Sequence, residues 1–412
     1  MARTSNPAAP LLDPAVQRHL AETVRSWLGV PRGAADYLPA LPEHLARLLL
    51  RLPEHEHEER DRWGRWDHEQ SERYETRSLW EAPIDAWVAE RRAQTPGSPL
   101  WPHNAPFAVC LTHDVDLVSS ASTPAQIARY ARAGLDREGS GVVRFARPAV
   151  RVARSLRAGV SRAPSTSDTL ERSAEILRRR GLSASYLFTV PGSSRFDCAY
   201  APEDMCAFRG RRMRIADVMR ALADEGFDVG LHGSYGASGK HGALAAERTR
   251  LADATGLAIT STRQHLLSWD VRWTPALQEE AGLRVDSSLG FNRNVGFRAG
   301  TSLPFRWFDV SSSRTLELIE VPVVLSDVGL LGSWGRGLEL RDAKELVSSF
   351  ADDAARMGTV TTVVFHPDKL VRDDWLDLYE TTLDEFVARG AWVTSLAGLE
   401  TWWREREARL DA

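Results

Sequence analysis

Only three of the 412 residues are cysteine: Cys110, Cys198 and Cys206. With no CxxC pair among them, they supply neither a disulfide framework nor a structural zinc site. Cys110 lies in an apolar run and is expected in the core. Lysine is as scarce, occurring only at 240, 344 and 369, so arginine carries the basic charge; we attach no function to this bias. Neither sign of charge prevails, since the net charge is -4. That removes any global electrostatic case for nucleic acid or an acidic polymer as partner. No stretch approaches the roughly 18 apolar residues that span a bilayer, and "MARTSNPAAPLLDPAVQRHLAETV" lacks the apolar run of a secretory signal. A cytoplasmic protein is expected. No self-similarity appears at the periods of roughly 20 to 50 residues that mark solenoids.

What is present is the composition of a globular chain, 43% hydrophobic, with length for more than one unit. Residues 1–104 read as a helical region: "PAVQRHLAETVRSWL", "PEHLARLLLRL" and "APIDAWVAERRAQ" place apolar residues three and four apart. His55, His57 and His68 lie there among charged residues and are read as a solvated helical face. From 105 short apolar strands alternate with helices, as in a βα layer or barrel. The strands are "FAVCLT", "SASYLFTV", "FDVGLH", "ITSTRQHLL", "LRVDSS", "LELIEVPVVL", "GTVTTVVFH" and "AWVTSL". "DTLERSAEILRRRG" opens with capping-box spacing between Asp168 and Glu171, and several helices stop at glycine. Residues 119–165 interrupt the rhythm after the first strand as a basic, helical insertion. It reads either as a solvated face or as a patch, over 129–162, touching a phosphate-bearing substrate or a membrane surface. The barrel unit is drawn over 105–402, with 403–412 as a tail.

Polar residues recur at strand ends. Asp114 and Asp116 close the first strand in "LTHDVD", His232 ends "DVGLH", Arg263 and His265 lie in "STRQH", Asp286 in "RVDSS", and His366 ends "TVVFHP". In a parallel βα barrel those ends share one face, where active sites are built. Alternate residues of a strand share a side, so Asp114 and Asp116 project together. Two carboxylates that close share either a proton or a cation. Carboxylate with imidazole suits zinc, and three protein ligands with an open position make a catalytic site.

The ordered set "HDVD", "DVGLHGSY", "STRQH", "EEAGLRVDSSLGF" and "VVFHPD" resembles the polysaccharide deacetylase family, the NodB-homology or carbohydrate esterase family four domain. The resemblance spans roughly residues 105 to 400 and leaves the first hundred outside. It implies a distorted parallel (β/α) barrel and a metal-dependent hydrolase, a deacetylase of N- or O-acylated sugars in surface-polysaccharide metabolism, with one divalent ion, Zn2+ by expectation. By the same resemblance Asp114 matches the base, Asp116 and His232 match metal ligands, and Arg263 matches the arginine that orients the base. His366 matches the general acid or oxyanion partner, and Asp286 the carboxylate orienting it.

The family's second histidine, four residues after the first, is replaced here by Gly236. His265 is the preferred substitute because it follows Arg263 by two residues and so shares its side of the strand. His241, at the end of a glycine-rich loop, is the other candidate, and a site lacking a third protein ligand is the remaining one. His113 points away from Asp114 in a regular strand, toward packing or toward substrate. Tyr235, Asn292 and Arg298 are expected to contact substrate, and Glu320 and Asp327, bracketing "VPVVLSD" near another strand end, either contact substrate or serve the structure. Two rival readings stand: hydrolysis of a small amide or formamide, and an inactive carbohydrate-binding protein. Oligomeric state is left open.

Overall fold

The structure, a computed structural model, describes residues 11, 13–33, 38–56, 60–61, 65–94, 97–118, 166–192, 196–198 and 200–412. The basic insertion expected at 119–165, and His57, lie outside the described residues.

Twelve strands are described: β1 Ala108–Val115, β2 Ser185–Phe188, β3 Met205–Phe208, β4 Arg211–Arg214, β5 Asp228–Gly233, β6 Ser261–Gln264, β7 Val285–Asp286, β8 Phe305–Asp309, β9 Arg314–Glu320, β10 Val323–Ser326, β11 Val360–Phe365 and β12 Trp392–Thr394. Ten of them form one curled sheet in the order β10-β11-β1-β2-β5-β6-β7-β9-β8, with β12 beside the start of β1. Every pairing in that sheet is parallel except β8 with β9. Each of the eight residues of β1 is buried, because helices cover one face and the half-barrel interior the other. Parallel order is what brings the carboxyl ends of β1, β5, β6, β7, β10 and β11 to one rim.

The expected strand over "LELIEVPVVL" is two strands. Val321 and Pro322 separate β9 from β10, and proline cannot donate to the ladder. The chain uses that break to change neighbours, from β7 and β8 to β11. The β3–β4 hairpin and β8 were not anticipated from the hydrophobic pattern. Residues 403–412 are not a tail but continue the helix Leu396–Asp411, which buries Trp403, Arg406 and Leu410.

The amino-terminal helices share the barrel's core. Helix Pro14–Leu28 starts where Asp13 accepts from the Ala15 amide and Pro14 fills the first turn. It stops at Gly29, whose φ of 72° suits glycine and whose Cβ would meet Ser98 O. Trp27 is fully buried and donates through Nε1 to Pro304 O at 2.8 Å. Arg25 pairs with Asp411 at 2.7 Å, so the first and last long helices are joined. Asp85, on helix Pro83–Gln94, accepts from Thr301 Oγ1 and from the amide and hydroxyl of Ser302. Glu54 is sandwiched between Arg51 (2.6 Å) and Arg298 (2.8 Å), and both guanidinium groups lie over Trp66.

Candidate metal and catalytic site

At the rim, Thr112, Asp114 and Asp116 share one side of β1, while His113 takes the other. Arg263, in β6, is fully buried and spends its donors on four acceptors. Nη1 donates to Asp114 Oδ1 (2.7 Å) and Thr112 Oγ1 (2.8 Å), Nε to Ser287 O (2.6 Å) and Nη2 to Ser287 Oγ (2.8 Å). Burial alone would raise the Asp114 carboxyl, but Arg263, His232 and His366 outweigh it and hold the group below the usual carboxylate range. Asp116 is held down likewise: burial opposes, and His265, His232 and His366 prevail. The Asp114–Asp116 pair therefore carries two negative charges, and imidazoles surround it.

The His232 ring gives its Nδ1 to Arg263 O at 2.9 Å. A carbonyl only accepts, so Nδ1 carries a proton, and Nε2 faces Asp116 Oδ1, 3.3 Å away. His265 Nε2 stands 3.7 Å and Cys198 Sγ 3.8 Å from that same oxygen. In a tetrahedral zinc site with bonds of about 2.0–2.3 Å, neighbouring donor atoms lie roughly 3.3–3.8 Å apart. The three separations fall in that range, and Cys198 Sγ, while it keeps its proton, donates to the Asp116 oxygen. Asp116, Cys198 and His265 are, among the described residues, the donors that lie mutually close enough to hold a metal ion, and His232 faces the same Asp116 oxygen beside them.

His265 reaches Asp116, but not by strand alternation. β6 ends at Gln264, and the chain turns through Leu266 and Leu267 at φ 56° and 49°, values that side chains other than glycine rarely adopt. Asn292 Nδ2 donates to Leu266 O at 2.8 Å and stabilises that turn. His241 is exposed and pairs with Glu280, away from the rim. His366 follows β11. Its Nδ1 meets Asp327 Oδ1 at 2.7 Å and its amide donates to Asp327 Oδ2 at 2.7 Å, leaving Nε2 3.9 Å from Asp116 Oδ2. Burial works against its charged form, yet Asp327, Asp116 and Asp114 push it up to about 10.

Several expected substrate contacts have other partners. Asp327 orients His366, the task expected of Asp286. Asp286 is buried below the rim, accepts from Ser288 Oγ (2.6 Å), and is register-paired with Glu320. Burial raises both of those carboxyls; Asp286 raises Glu320 further, while a hydrogen bond from Glu320 lowers Asp286, so the proton they share rests on Glu320. Glu320 accepts from Leu289 N and Trp307 Nε1 in the core and does not meet the cleft. Arg298 is bound to Glu54 and Gly290 O. His113 stacks on Tyr186 and contacts Tyr379 OH at 3.1 Å, on the helix side of β1. Tyr235 packs on Phe196 and gives its amide to Asp197. Asn292 does line the cleft, together with Leu267, Phe291, Trp334 and Lys369. Sequence reasoning missed Ser287, which grips Arg263, as well as Trp334 and Cys198. "DSS" was visible, but which of its three residues touches the site depends on a neighbouring strand. Cys198 lies 82 residues from Asp116, and no local signal links them.

No protein-family model and no curated protein matches the chain. Among solved structures, the allantoinase Puue has a TM-score of 0.50 at 14% identity, covering 76% of this chain and 94% of that one. A protein of Mycobacterium smegmatis assigned to the polysaccharide deacetylases has a TM-score of 0.49 at 19% identity, with 76% and 96% covered. One of Pseudomonas aeruginosa PAO1, assigned likewise, has 0.47 at 14%, with 76% and 95% covered. The curled, mostly parallel half-barrel is the fold this chain shares with the allantoinase Puue.

Proposed function

We propose that this protein is a metal-dependent hydrolase that removes an acyl group from an acylated sugar. The observation that carries the reading is the meeting of Asp114, Asp116, His232, His265 and His366, from the carboxyl ends of four strands, β1, β5, β6 and β11, at one open cleft. Asp116, His232 and His265 would hold the cation. When bound, such an ion supplies Lewis acidity toward a carbonyl oxygen and makes a water molecule more acidic.

The remaining steps belong to side chains. Asp114 binds Arg263 through Oδ1, so Oδ2, on the His232 side, accepts the proton of the attacking water. His366 keeps its Nδ1 proton against Asp327 and presents Nε2–H to the leaving nitrogen or oxygen. Leu266, Leu267, Phe291 and Val328 offer an apolar pocket for the acyl chain, and the exposed ring of Trp334 at the mouth offers a face to a sugar ring. The sugar and its surface-polysaccharide context rest on the sequence resemblance together with that ring.

The test is metal analysis of protein purified without chelator, followed by assays of acid release from N- and O-acetylated sugars and from small amides. Stoichiometric metal, with Asp114→Asn keeping the metal and losing activity by about 10²–10⁴-fold, is the expected result. Turnover of small amides alone replaces the substrate class, and protein devoid of metal and activity leaves the carbohydrate-binding reading.

A further inference from the structure

The structure assigns Cys198 as a thiolate ligand of the same cation, filling the place left by Gly236. The inference deepens the metal-dependent reading and rests on it. The first observation is positional. Cys198 is buried, and its Sγ lies 3.8 Å from Asp116 Oδ1, within the same donor group as His265. The second is independent of the cysteine. His232 is almost fully buried, its Nδ1 donates to Arg263 O, and its Nε2 faces the Asp116 oxygen at 3.3 Å. A cation bound between that nitrogen and that oxygen takes the place of a proton they would otherwise share, so the pair forms one wall of a metal site whose other donors are His265 and Cys198.

The cysteine is carried to this point by contacts on both sides of it. Asp197 Oδ1 accepts from Tyr235 N at 2.6 Å, one residue before Gly236, so the Cys198 segment lies against the turn where the family has its histidine. Gly192 permits that approach, because a Cβ there would collide with Asp197 Oδ2. Tyr200 donates to Val115 O at 2.5 Å and accepts from Thr189 N at 2.9 Å, tying the segment to the ends of β1 and β2. Sulfur then stands on Asp116, next to the backbone that carries Gly236. On binding, the S–H proton leaves to solvent as the metal–sulfur bond forms. A thiolate also biases the site toward zinc and away from harder ions such as manganese.

The test uses the full-length chain stripped of metal and reloaded with Co2+, read by absorbance. The wild type is expected to show a near-ultraviolet thiolate-to-cobalt band. Cys198→Ser should lose the band while still binding cobalt, at least ~10-fold more weakly, the loss that even a supporting partner causes. A band that persists in Cys198→Ser traces to Cys110 or Cys206 and overturns the assignment. Cobalt bound without the band also overturns it, while the Asp116, His232 and His265 site stands. Wild type that binds no cobalt overturns the assignment and the metal-dependent reading together. X-ray absorption on the zinc-loaded wild type needs no variant: a sulfur neighbour at about 2.3 Å is expected, and a shell of nitrogen and oxygen alone refutes it.

Discussion

At the scale of single residues, the site separates two kinds of carboxylate pair. Asp114 and Asp116 are both ionised because Arg263 and three imidazoles face them. At Asp286 and Glu320 burial prevails, over Arg263 and the hydrogen bonds at Asp286, and the pair holds a proton in common. His366 depends on one residue, Asp327, for its ring orientation. Asp327→Asn should lower kcat on the order of 10²-fold, as loss of a positioned general acid does, with metal content unchanged. Metal analysis beside steady-state kinetics checks this, and equal loss of metal and rate would remove Asp327 from the acid's support.

At the scale of elements, the helices of the first hundred residues are docked through buried polar groups. Asp85 is the clearest. Burial pushes its carboxyl up to about 6, against hydrogen bonds from Ser302 and Thr301 that favour the ion. A group whose folded-state value is raised holds its proton more tightly folded than unfolded. Its contribution is complete below its unfolded value near 4 and is lost as pH rises through about 6. The full loss amounts to about 3 kcal/mol. Asp85→Asn has no such proton, so the stability difference between wild type and variant should shift by about that amount, against the wild type, between pH 4 and pH 7. Urea unfolding at both pH values measures it; a difference independent of pH would show that Asp85 is ionised throughout.

At the scale of the whole molecule, one hydrophobic core runs from the first helix to the last. Trp27 on helix Pro14–Leu28 and Trp403 on helix Leu396–Asp411 are both buried, and Arg406 reaches from the latter to Ser26 O. The amino-terminal helices therefore stabilise the sheet that bears the site, although the resemblance to deacetylases omits them. Trp27→Ala should cost about 3–5 kcal/mol, from lost packing and an unpaired Pro304 carbonyl. A denaturation midpoint unchanged by that substitution would mean that the helices fold apart from the barrel. No helix among the described residues is long and apolar enough to cross a membrane.

The sequence by itself determined the strand-helix alternation, the first helix to its end residues, and the rim positions of Asp114, Asp116, His232, Arg263 and His366. These follow from local periodicity and from the rule that parallel strands present their carboxyl ends together. Tertiary structure alone decided which carboxylate orients His366, that Arg298 and Glu320 serve the core, and that Cys198 stands on Asp116. Those contacts join residues on different strands and loops, and their geometry is set by sheet register and by left-handed turns such as Leu266–Leu267. Hydrophobic pattern carries no information on either, because it records which side of a segment is buried and not what lies opposite.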